Sequence, residues 1–244
     1  MKARTLILLS LAVLLLPSLG PPNVTYAQTP PVVSLEEITA DDTGKTVTIE
    51  ATVVGAENFS SGFKLHVNDS TAQHIVLVWG NDWDRIYNSY RINVGAVIRV
   101  TGKVDVYRGQ IEIVPARGSD VQVVKWAKRN WRKYALGSMS GNDHNAVVWV
   151  EGWIGDITPA EDGAYLLLYD ETGAQKVHLY DVVARRIPNR QKLWVGQRVS
   201  IVGRVRARRR VGIEIVPALP HDVYVLPETA QAGGAPSSSG GESK

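Results

Sequence analysis

The chain is written twice, and this repetition constrains the fold more than any figure of composition. Displacing the 244-residue sequence by 101 positions lays its first half on its second. Leu35 falls on Leu136, Asp42 on Asp143, Glu50 on Glu151, Gly62 on Gly163, Asp69 on Asp170 and Thr71 on Thr172. Gly95 and Gly102 fall on Gly196 and Gly203. One extra residue in an arginine-rich turn makes the later displacement 102, and Ile111–Ala116 then matches Ile213–Ala218. A chain of this length holds one large domain or two small ones. The repetition selects two copies of one domain, over residues 33–124 and 135–226, joined by a linker at 125–134.

Within each copy the apolar period is two, which is the strand signature. Val47, Ile49, Ala51 and Val53 alternate with Thr48, Glu50 and Thr52; their counterparts are Val148, Val150, Gly152 and Ile154. A second strand is expected at Phe63–Asn68 (Ala164–Tyr169), a third at Ile75–Trp79 (Lys176–Tyr180), a fourth at Ala96–Val106 (Gln197–Arg206) and a fifth at Gln110–Pro115 (Gly212–Pro217). A short helix fits between the third and fourth, over Asp82–Tyr90 in the first copy; Pro188 breaks it in the second. Gly102 and Gly203 fall inside the long fourth strand, where a missing side chain permits the bend that closes a small barrel.

This order of elements resembles OB-fold nucleic-acid-binding domains of the tRNA-anticodon-binding and single-strand-binding type. The residues that carry the resemblance are Gly44–Val53, Asp69-Ser70-Thr71, Asn93-Val94-Gly95, Val100–Val104 and Ile111–Pro115. In the second copy they are Asp170–Gly173, Trp194-Val195-Gly196 and Ile201–Val205. The resemblance implies an all-β chain of two tandem five-stranded Greek-key barrels, each with a short helix between strands three and four. It implies a ligand face on strands one to three, and it leaves the ligand open, because this barrel also carries oligosaccharide and protein binders.

The two ends read differently from the repeats. Lys2 and Arg4 precede an apolar run from Leu6 to Leu16, and Thr25-Tyr26-Ala27 offers a small-residue cleavage pattern, with Ser18-Leu19-Gly20 competing. Residues 1–27 are therefore expected to be a secretory signal peptide, with an uncleaved membrane anchor as the alternative. The run falls short of the ~20 residues that span a bilayer. Residues 227–244, rich in Gly, Ser, Ala and Pro, are expected to form a flexible tail. The expected location is outside the cytoplasm. No Cys is present, which excludes a lipid-anchored lipoprotein, a disulfide scaffold and a thiol nucleophile. The formal charge of +3 includes Lys2 and Arg4; without them 25 basic residues face 24 acidic ones. Any basic function must come from local clustering.

Taking the apolar phase of each strand as core leaves an outward phase. In the first copy it holds Thr48, Glu50, Thr52, Lys64, His66, Asn68, Ile75, Leu77 and Trp79. In the second it holds Trp149, Glu151, Trp153, Tyr165, Leu167, Tyr169, Lys176, His178 and Tyr180. Trp149, Trp153, Tyr165, Tyr169 and Tyr180 are five rings on one expected surface, able to stack bases or sugars at about 1–3 kcal/mol per base. They can equally pack against the other barrel, the linker or a second chain.

Cations cluster twice. Arg204, Arg206 and Arg208 alternate along the fourth strand, and Arg209 and Arg210 continue into the hairpin, one of the two binding loops of the fold. These five, with Lys176, point to an anionic partner. The linker Lys125–Tyr134 carries five cations and three aromatic rings in ten residues. It suits a phosphate backbone, but also a solvated linker with a Trp anchored between barrels, and that is the favoured reading. Against a nucleic acid, the loop between strands one and two of the second copy carries Glu161 and Asp162, where the first carries Phe59.

No catalytic constellation is present. His66, His74, His144, His178 and His221 form no metal-ligand spacing, and there is no phosphate-cradling glycine loop or nucleophile elbow. No enzyme activity, cofactor or metal is expected. Asn58-Phe59-Ser60 and Asn68-Asp69-Ser70 match the glycosylation sequon, a pattern frequent by chance. The expectation is an exported binding protein. Its partner is single-stranded nucleic acid or another anionic polymer, held by the second copy. The alternatives are an envelope glycan or protein on the same aromatic face, and a structural spacer that self-associates.

Overall fold

The computed structural model describes residues 31–128, 131–208 and 212–227. The expected signal peptide, nearly all of the expected tail, and Arg209 and Arg210 lie outside the described residues. The first copy forms β1 (Thr46–Phe59), β2 (Gly62–Asn68), β3 (Gln73–Trp79), β4 (Val97–Tyr107), β5 (Gln110–Val114) and β6 (Val121–Lys125). The second forms β7 (Val147–Ala160), β8 (Gly163–Tyr169), β9 (Ala174–Tyr180), β10 (Arg198–Arg208), β11 (Gly212–Val216) and β12 (Val223–Val225).

Each copy closes into an OB-like barrel. β1 pairs with β2 and with β4, β3 pairs antiparallel with β2 and parallel with β5, and β5 pairs with β4. The second copy repeats the pattern. One strand serves two neighbours because β1 is long and bends. Its register slips between Val53 and Gly55, and that of β7 between Ile154 and Asp156. Such bulges are the usual device for turning a barrel corner. At Gly102 an added Cβ would lie 2.8 Å from the Val114 carbonyl carbon, and at Gly203 2.6 Å from Ile215 Cγ2. The glycines in β4 and β10 are thus where the neighbouring strand presses closest.

Two details differ from the sequence reading. A sixth strand, β6 or β12, lies along β4 or β10 outside the closed ring of five. The helix after the third strand is a single turn, α1 (Gly80–Trp83) or α2 (Asp181–Ala184), and not the span expected over 82–90. Asn88 and Asn189 adopt left-handed backbone with φ of 60° and 59°, which stops the helical path.

The core follows the predicted inward phase: Ile49, Phe63, Leu65, Ile98 and Ile113 in one barrel, Val150, Leu166, Leu168 and Ile201 in the other, all at 2% exposure or less. Each barrel is plugged at the same place. Leu35 and Leu136 are fully buried, and each backbone N–H donates to a turn aspartate, Asp69 at 2.8 Å and Asp170 at 2.9 Å. Asp69 also accepts from the Thr71 N–H and hydroxyl and the Ala72 N–H. Asp170 does the same with Thr172 and Gly173. Among the described residues no helix is long and apolar enough to cross a membrane.

Three ties join the barrels. Arg186 grips Asp84 with two hydrogen bonds of 2.7 and 3.0 Å, and also donates to the Val182 carbonyl. Asn58 Nδ2 donates to the carbonyls of Pro217 and Ala218 at 2.9 and 3.4 Å. His221 Nε2 donates to the Ile92 carbonyl at 2.7 Å, with its ring parallel to that of Trp83. Arg186→Ala is expected to leave both barrels folded and to speed proteolysis of the linker several-fold, because only the junction loses contacts. An unchanged digestion rate would show that the ion pair contributes nothing to the docking.

Candidate functional site

The outward phase is outward in the structure. None of the five candidate rings belongs to the buried core; only Tyr180 packs against its margin. Thr48, Ile75, Leu77 and His178 also point away from the barrel interior, yet are covered, with exposures of 0%, 4%, 7% and 4%. Thr48 lies beneath the segment entering the first barrel, which bridges to it at Val32.

The five rings divide into three places. Trp149 is half-buried: its Nε1 donates to Ser200 Oγ at 2.8 Å, and Lys133 stands over its ring at 5.8 Å. The linker crosses it through a parallel bridge from Lys133 and a hydrogen bond from the Tyr134 N–H. Trp149 therefore packs against the linker, the second of the two roles the sequence allowed. Trp153 and Tyr169, cross-strand partners in β7 and β8, form an open shelf with centroids 6.0 Å apart and planes 28° apart. The Arg198 guanidinium lies 5.4 Å from the Trp153 centroid. Lys133 and Arg198 both bond Glu151, which fixes the cations at this edge.

The third place is on β8 and β9. The His178 ring sits between Tyr165 and Tyr180, with centroids 4.4 and 4.1 Å away, and its Nε2 meets Asp162 at 2.9 Å. Lys176 stands 5.0 Å over Tyr165; Arg206 donates to the Tyr180 hydroxyl at 3.0 Å and lies 5.8 Å from that ring. Between these two cations in the strand register is Glu214, at 1% exposure. The first barrel is a control for this chemistry. There Lys64 replaces Tyr165, Ile75 replaces Lys176, Leu77 replaces His178 and Asp105 replaces Arg206. Lys64 is closed onto Glu112 at 2.6 Å. The second copy has exchanged a self-neutralised aliphatic face for rings bordered by cations.

The arginine series is not one row. Arg206 belongs with Tyr180. Arg204 donates to the Asn145 carbonyl at 2.9 Å and lines a cavity against the first barrel. Arg208 ends β10 opposite Gly212, leading into the hairpin. Asn93 Nδ2 donates to the Ala127 carbonyl in the linker, and Trp131 lines the same cavity as Arg204. The linker's described part thus carries a Trp anchored between the barrels.

A groove of about 910 Å³ runs where the second face meets the first barrel. Tyr165, Tyr180 and Arg206 form one wall; Phe59 and Ser60 of the first barrel form another; Arg185 stands at the margin. Phe59 in turn meets the edge of Trp79 at 5.6 Å. Glu161, Asp162 and Asp181 give this end of the face a negative character, while the hairpin end is positive. Arg185 and the part played by Phe59 were missed by sequence reading, since both depend on how the barrels dock. The repeat offered a partial signal for Phe59, because this position and Glu161 break the match between copies.

No protein-family model matches the chain, and no curated protein matches it by sequence. Among solved structures it is similar to asparaginyl-tRNA synthetase from Pyrococcus horikoshii complexed with asparaginyl-adenylate, at 17% identity over 40% of this chain and 23% of that one, with a TM-score of 0.36. It is similar to aspartyl-tRNA synthetase from Entamoeba histolytica at 20% identity, over 41% of this chain and 22% of that one, TM-score 0.35. The p204 HINb domain matches at 16% identity over 75% of this chain and 97% of its own, TM-score 0.33. The chain spans about a quarter of the length of either synthetase. The assignment of the barrels rests on their own strand order.

Proposed function

We propose that this chain is an exported, non-catalytic binding protein whose second barrel holds single-stranded nucleic acid on the face of β8, β9 and β10. The observation that carries the reading is the placement of cations beside aromatic rings, Lys176 by Tyr165 and Arg206 by Tyr180, at positions where the first copy has no ring–cation pair. Rings give sequence-tolerant stacking, and cations at their margin meet phosphates. Arg208, Arg209 and Arg210 extend the positive end into the hairpin. Trp153 and Tyr169 supply a further shelf on the neighbouring strands. Export is supported by Lys2, Arg4 and the apolar run that follows them.

The test is a titration of a fluorescent single-stranded oligonucleotide at several salt concentrations. The affinity should fall steeply with salt, by a log–log slope of about 0.7 for each phosphate contacted. Replacing Arg208, Arg209 and Arg210 together by Gln should flatten that slope; an unchanged slope would remove the hairpin from the interface. A second reading, an uncharged envelope glycan on the same rings, is favoured by one observation, the carboxylates of Glu161, Asp162 and Asp181 at the groove end. It requires binding that ignores salt and disappears with Trp153→Ala.

A further inference from the structure

We propose that the junction between the two barrels is itself a binding site for a small amphipathic molecule with an apolar body and an anionic head. This site is separate from the nucleic-acid face and does not depend on it. The junction encloses a cavity of about 340 Å³, walled by Val54 and Val94 of the first barrel, Val147 and Val202 of the second, and Trp131 of the linker. Ligand cavities begin at about this size and favour domain interfaces, with apolar walls and a few placed polar groups. The space arises because Val54 sits at the β1 bulge, where the strand turns away, while the hydrogen bonds of Asn58 and His221 hold the barrels together.

Two polar side chains give the cavity its chemistry. Asn93 lines it and is 9% exposed. Its Nδ2 donates to the Ala127 carbonyl, but its Oδ1 has no hydrogen-bond partner among the described residues. A buried acceptor left unpaired is costly, and a donor on a ligand would satisfy it. Arg204 lines the same cavity and donates from NH1 to the Asn145 carbonyl. A guanidinium carries five N–H groups, so charge and donors remain for an anion. Asp222, also lining the cavity, accepts from the Leu219 N–H, which holds that wall in place. The ligand class is therefore a compact apolar body with an acidic group for Arg204 and an N–H or O–H for Asn93.

Anilinonaphthalene sulfonate has these three parts, and N-phenylnaphthylamine lacks only the sulfonate. Both are titrated by fluorescence against the intact chain. The sulfonate should bind saturably at one site, and Arg204→Met should weaken it at least about tenfold, as for loss of a charge-assisted contact. The neutral analogue should change less than about twofold in the same variant. Val54→Trp, at a position already 44% exposed and outside the core, should fill the space and abolish both. Trp153→Ala should leave both unchanged. Sulfonate binding that survives Val54→Trp, or that is lost only with Trp153→Ala, would overturn the proposal and place the dye on the open aromatic shelf.

Discussion

Alanine at Gly163 is expected to destabilise the second barrel by about 4 kcal/mol, combining backbone strain with overpacking. Gly163 opens β8 opposite Tyr180, with φ of +154°. An added Cβ would lie 2.0 Å from the Leu179 carbonyl oxygen and 3.0 Å from the Asp181 N–H nitrogen. Both are main-chain atoms of the strand and helix that carry the Tyr165–His178–Tyr180 stack, so neither can yield without moving the face. Gly196 is the control: its φ is +93°, but a Cβ there meets nothing within 4 Å. Gly196→Ala should cost only about 1 kcal/mol of backbone strain. Urea denaturation followed by tryptophan fluorescence reads both. Equal losses in the two variants would mean that the close approach at Leu179 is not what makes Gly163 necessary.

Removing the turn aspartates should cost about 3 kcal/mol per barrel, since hydrogen bonds to a charged acceptor are worth about 1.5–3 kcal/mol each and the donor left behind is buried. Asp69→Ala strands the N–H of Leu35, and Asp170→Ala that of Leu136, both at fully buried residues. The same geometry fixes a pH dependence. Burial alone would raise the pKa of each carboxyl. The N–H groups of Leu35, Thr71 and Ala72 and the Thr71 hydroxyl outweigh burial and hold Asp69 well below the usual carboxylate range. Leu136, Thr172 and Gly173 lower Asp170 likewise. A carboxyl with a depressed pKa in the folded state stabilises fully above its unfolded value, near pH 4, and loses that contribution as pH falls below it. The chain should therefore lose stability between about pH 4 and pH 2, and the Asp69→Asn, Asp170→Asn double variant should lose much less over that window. An acid limb identical in both proteins would refute the assignment.

Much of this fold was legible because both of its signals are local. Alternation at Val47–Val53 and the matched pairs Asp69/Asp170 and Gly102/Gly203 survive in the sequence, whatever the barrels do in space. The sixth strands were not legible: Val121–Lys125 and Val223–Val225 are too short to show a period. Parity put Trp149 and Trp153 correctly outside. It did not reveal that Lys133 and Tyr134 would lie across one and leave the other open. Parity likewise set Arg204 beside Arg206, but the first barrel covers only one end of β10, so the two face different spaces. Phe59, Arg185 and the Arg186–Asp84 pair were beyond reach, because contacts between residues about a hundred positions apart depend on docking, which no local pattern encodes.

Asn58 adds a practical consequence. It opens the Asn58-Phe59-Ser60 sequon, and its amide nitrogen is already committed to the backbone oxygens of Pro217 and Ala218. An oligosaccharide attached there must displace one of those hydrogens and wedge its first sugar into the seam. Material produced in a host that glycosylates secreted chains would then be a hinged variant, and the choice of expression system becomes part of the experiment.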